Sequence, residues 1–116
     1  MEDFLLIFRH EDDSKISQEE MDRFMKDATK WVNTIEEKKK FLGGKGLSFD
    51  DAKVVWHNNV VTDGPFGEIK ETLGGFIIVK ANSVDEAVDF AKECPILQKE
   101  GNTVEIRKIA RGDGVQ

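Results

Sequence analysis

Asp63 is the residue of this chain whose setting first suggests proton chemistry. It follows Val60-Val61-Thr62 and precedes Gly64-Pro65, a pair that restrains the backbone. A carboxylate at a strand end could point into a space between sheet and helices. Desolvation there raises a carboxyl pKa and makes the group a general base. The local sequence favours a plainer role, an Asx-turn in which the side chain caps the following backbone. Glu68 and Lys70 come next and could orient a polar substrate or perturb Asp63. As a solvated pair they would contribute little. His57, beside Trp56, and His10, before Glu11-Asp12-Asp13, are the two histidines. Either could meet Asp63 in space as a base with its orienting partner, or could simply end a strand. Phe66 is expected in the core, in an interface between two copies or against a ligand, and Trp31 in the core or against the same ligand.

Other reactive types have less support. One cysteine and two distant histidines have no zinc-like spacing. The acidic run at 11–13 lacks the ligand order of a calcium loop. Hence no metal and no cofactor is expected. Cys94 sits before Pro95 at a predicted helix C-terminus, where the dipole disfavours a thiolate. Gly43-Gly44-Lys45-Gly46 ends a predicted helix instead of opening one, so it reads as a helix stop and connector, not a phosphate loop.

These side chains need a frame. Phe4-Leu5-Leu6-Ile7-Phe8 predicts a strand over 3–9 that is apolar on both faces. Ser17-Gln18-Glu19-Glu20 matches a capping box. Apolar residues at Met21, Phe24, Met25, Ala28, Trp31, Val32 and Ile35 then trace one face of a helix over 18–40. Gly43-Gly44 is expected to stop it. Strands are predicted over 52–57 and 60–62 around an Asn58-Asn59 turn, and over 75–80, where Gly75 follows Gly74. Ser83-Val84-Asp85-Glu86 opens a second helix that ends before Pro95. A last strand is expected over 103–109, with Val104 and Ile106 inward, and a loose tail over 110–116.

That order, two split strand–helix–strand units, predicts an α+β ferredoxin-like sandwich with two helices on one face of an antiparallel sheet. The other face then lacks cover, although the strands around Leu5, Ile7 and Ile78 are apolar there too. Such a patch exceeds what monomers usually tolerate. A second copy, packed sheet to sheet with two-fold symmetry, hides it. About 500 Å² of apolar burial per subunit is worth on the order of 12 kcal/mol gross, less the entropy of association.

The 116 residues allow one domain, taken as residues 1–116. With 17 Lys+Arg against 23 Asp+Glu, the net charge of −6 opposes binding to a phosphate backbone. No apolar run reaches the roughly 20 residues that span a bilayer, and no signal-peptide pattern opens the chain. The expectation is a cytoplasmic protein that contacts neither nucleic acid nor membrane.

Val61-Thr62-Asp63-Gly64-Pro65-Phe66, then Glu68, Lys70-Glu71, Leu73-Gly74-Gly75-Phe76, Asp85-Glu86-Ala87 and Val104-Glu105-Ile106-Arg107, resembles the DGPF-domain branch of the YCII-related family. The resemblance covers about residues 3–109. It implies a dimeric α+β barrel. It also implies one of two roles. One is a small-molecule-binding or lyase- or isomerase-like enzyme, with an acid/base carboxylate in the barrel cavity. The other is a non-catalytic regulatory module, since some family members associate with extracytoplasmic-function sigma factors. Enzymatic relatives use a His–Asp pair with the histidine on the first helix. Here that helix has no histidine, and Lys30-Trp31 stands near its place.

Overall fold

The structure, a computed structural model, describes residues 1–10, 17–48, 50–64 and 73–110. The acidic run at 11–13, Pro65, Phe66, Glu68 and Lys70 lie outside the described residues, as does the expected tail from 111 onward.

The apolar opening run forms β1 (Glu2–Arg9). Ser17 then caps α1 (Gln18–Glu37), its Oγ accepting from the Glu20 amide at 3.1 Å. Trp31 and Ile35, one turn apart, are the buried members of the apolar stripe. Met25, expected on that stripe, is 55% exposed.

The helix does not run to the glycines. Lys39 takes the left-handed conformation (φ 59°). Its amide bonds Glu36 O, and the Lys40 amide bonds Ile35 O. This is a Schellman closure with lysine where glycine is usual. The expected stop at Gly43-Gly44 is corrected accordingly: Phe41–Gly46 is a strand, β2. Both glycines serve the pairing with the strand that follows them in the sheet. Gly43 (φ 139°) sits at a register shift. A β-carbon on Gly44 would come within 2.5 Å of Phe76 O.

The second strand of the main sheet is therefore β2. The segment expected to fill that place forms β3 (Lys53–Val55), which among the described residues pairs with β4 (Val61–Asp63) alone, as a separate two-stranded arm. The Asn58-Asn59 turn is present, with Asn59 at φ 67° and its amide on Trp56 O. The long β5 (Leu73–Ala81) returns to the sheet. Ser83 caps α2 (Val84–Lys92), accepting from the Glu86 amide at 3.2 Å. A 3-10 turn at Pro95–Gln98 leads to β6 (Thr103–Lys108).

The antiparallel sheet has the order β2-β5-β1-β6, the ferredoxin-like arrangement. Phe4 and Leu6 of β1 and Ile77, Val79 and Ala81 of β5 alternate inward. They pack against Trp31 and Ile35 of α1 and Ala87, Phe90 and Ala91 of α2, with Val104 and Ile106 at the margin. Both helices thus cover one face. On the other, Leu5 pairs with Ile78 and Ile7 with Phe76, all four half-buried. The molecule is about 20 Å thick, room for two layers and no third. Among the described residues no helix is long and apolar enough to cross a membrane.

Candidate functional site

A cleft opens between α1, the sheet and the 3-10 turn. It has two adjoining chambers that share His10, Phe24, Pro95 and Ile96. The inner one, about 280 Å³, lies among Phe8, Trp31, Phe41 and Ile77. Phe8 and Trp31 meet edge to face, centroids 5.9 Å apart. Trp31 Nε1 donates to Phe90 O at 2.9 Å, which satisfies the indole and locks the ring. The outer chamber, about 410 Å³, is bordered by Glu20, Arg23 and Asp27 of α1, which fall on one helix face at spacings of three and four. Lys99 and Asn102 stand across from them. Asn102 Nδ2 holds Ile96 O at 3.0 Å and so fixes the 3-10 turn.

His10 leaves the end of β1 where the two chambers join. Its ring lies against Gly74, where a β-carbon would come within 2.0 Å of Nε2. Gly75 is buried beside it, close to Lys45 O. Cys94 lines the inner chamber, and burial pushes its thiol up to about 11, so it stays protonated.

The structure separates the residues that the sequence would bring together. Asp63 lies on the arm with its side chain 87% exposed, and its carboxylate accepts from Lys53 Nζ at 2.5 Å. Gly64 closes the arm's base, its amide on Ala52 O at 2.8 Å. His57 lies near the exposed arm tip, at the opposite end of the hairpin from Asp63. His10 and Trp31 line the cleft; Asp63 and His57 do not. Sequence reasoning missed Phe24, Arg23 and Asp27 as site residues. Their helical spacing was visible, but which side of α1 meets a cleft depends on the 3-10 turn packed against it. Among the described residues no three of His, Cys, Asp and Glu gather as metal ligands.

The sheet order and the two helices on one face define a ferredoxin-like α+β protein. The solved structure of 5-chloro-2-hydroxyhydroquinone dehydrochlorinase (TftG) from Burkholderia phenoliruptrix AC1100, in complex with 2,5-dihydroxybenzoquinone, has this fold. It covers 94% of this chain and 95% of its own, with a TM-score of 0.53 and 18% identity. The chain belongs to the YCII-related family, whose domain model matches residues 3–111. An uncharacterized protein of Rhizobium meliloti (strain 1021) is 41% identical over 51 residues, 44% of this chain. The match spans about two-fifths (41%) of that relative's length.

Proposed function

We propose that this chain binds a small, flat, oxygen-substituted ring compound in the cleft and that His10 moves a proton on it, a lyase-like role. The observation that carries this is the placement of His10 at the junction of an aromatic-walled chamber and a charged one. An apolar cavity of about 150 Å³ already holds benzene, so the inner chamber suits one substituted ring. Histidine is the side chain most used for general acid–base work. Arg23, Asp27 and Asn102 supply polar groups for ring substituents. The dehydrochlorinase of like fold, with its bound dihydroxybenzoquinone, supports the same class of ligand. His10 takes the acid/base role in this reading in place of Asp63, which faces solvent with Lys53 as its partner. The aromatic cleft favours such a site over a purely regulatory module. The chain works as a two-fold pair, sheet against sheet, with Leu5, Ile7, Phe76 and Ile78 at the centre, in a reducing compartment such as the cytoplasm.

Calorimetric titration with 2,5-dihydroxybenzoquinone, other hydroxyquinones and catechols tests the ligand. Saturable one-to-one binding is expected, weakened at least tenfold in Phe24→Glu and little changed in His10→Ala. His10→Ala instead abolishes turnover of whichever ring compound is converted. Absence of saturable binding at millimolar concentration across the panel overturns the reading.

A further inference from the structure

The arm formed by β3 and β4 carries four large apolar side chains exposed to solvent. Val55, Val61, Val60 and Trp56 are 66%, 57%, 49% and 43% exposed. Val55 and Val61 are directly paired, so one arm face is a small apolar patch at its tip. Much of its hydrogen bonding stays inside the arm: Trp56 with Val60, Asn59 with Trp56, Trp56 Nε1 with Thr62 Oγ1, and Lys53 with Asp63. Neither strand packs extensively against another described element. A two-stranded hairpin of three residues a side is marginal in water without a further layer to lie on.

The main sheet has the complementary shortage. Leu5, Ile7, Phe76 and Ile78 are half-buried already. What they leave exposed falls well short of the about 800 Å² per partner of a standard stable interface. The groups around them are of mixed sign: Asp3 and Lys80 stand 4.0 Å apart, and Glu105 bonds Arg9 at 2.6 Å and Arg107 at 3.5 Å. In an isologous contact a patch meets itself. A single-sign rim would repel its copy, and this one can pair with it.

We infer that the β3–β4 arm is part of the dimer contact: the Val55–Val61 face of each arm lies against the partner copy and extends the sheet-to-sheet interface to the area a stable pair needs. The inference rests on the pair proposed above and adds the arm to it. The occupant is a second copy of this chain, because arm and face are each incomplete alone and the rim charges are self-complementary.

Sedimentation equilibrium on the wild type and on a Val55→Asp/Val61→Asp double variant tests it, with hydrogen exchange of the wild type as a second measurement. The two substitutions lie outside the core, and circular dichroism checks that the variant folds. Expected are a wild-type dimer and a variant whose dimer dissociation constant rises at least tenfold. In the wild type, arm amides should exchange more slowly above the dissociation constant than below it. A variant that dimerises as tightly as the wild type, or arm amides indifferent to concentration, overturns the arm's role and leaves the sheet-to-sheet pair standing. A wild type that is monomeric at high micromolar concentration overturns both.

Discussion

The imidazole of His10 rests on the α-carbon of Gly74, so close that a β-carbon there would come within 2.0 Å of Nε2 and 2.4 Å of Cδ2. β1 and β5 run side by side, and β5 shows a bare backbone at the point where β1 ends. The glycine therefore sets where the ring sits over the cleft.

Gly74→Ala should displace the ring without disturbing the core. The expected result is a fall in His10-dependent turnover of tenfold or more, with ligand affinity changed by less than threefold. The His10 ring resonances should shift in the NMR spectrum. A Gly74→Ala protein with wild-type turnover and unshifted ring resonances would remove His10's positioning from the account.

Gly44→Ala tests β2 as a true strand of the sheet. The new methyl meets Phe76 O at 2.5 Å and Ile77 Cγ2 at 2.6 Å. Backbone cannot swing aside as a side-chain tip can, so overpacking of about 1–3 kcal/mol is expected. Denaturant melts should show it, and exchange of β2 amides should quicken more than that of β1 amides.

Lys40 and Glu86 tie the end of α1 to the start of α2 at 2.7 Å. The Lys40 ammonium, with the Asn82 amide donating to Oε1 at 2.8 Å, holds the Glu86 carboxyl below its ordinary 4.5. A depressed carboxyl pKa stabilises the fold above the unfolded value, and that contribution is lost as pH falls through the folded value. Glu86→Gln should thus melt at a lower temperature than wild type at pH 7. The gap should narrow below pH 4.5 and close once the native carboxyl is protonated. A gap independent of pH would refute the linkage.

Cys94 should resist thiol reagents. With its thiol pushed up to about 11 by burial, the thiolate at pH 8 is about a thousandth of the total. Labelling with a disulfide reagent at pH 8 should be slower than for an unfolded control by two orders of magnitude or more, and should speed up on adding denaturant. Prompt labelling in the native state would show that the inner chamber wall opens.

Much of the frame was legible because it follows local rules. Ser17 and Ser83 both cap as their sequences require. The two-faced apolar run at 4–8 forms one of the two central strands of the sheet, and the Asn-Asn turn is present. β2 was not legible. Phe41-Leu42-Gly43-Gly44 has no strand composition, and its glycines mark close approach to a strand more than thirty residues away. That contact is non-local, so no window of sequence contains it. The strand expected at 52–57 and its hairpin partner at 60–62 both form, but in a sheet of their own: local pattern shows that 53–63 turns back on itself, not what it lies against. The site divided in the same way. The sequence marks Trp31 and His10 as candidates, but nothing local distinguishes His10 from His57.

Periodicity and capping act over a turn or two, so both helices, every strand except β2 and the second apolar sheet face can be read from the chain alone. Packing of distant segments settles which strand joins the sheet, which histidine meets the cleft and that Asp63 stands in solvent beside Lys53. Those outcomes depend on backbone approaches, such as Gly44 to Phe76 and Gly74 to His10, that exist only once distant segments have packed.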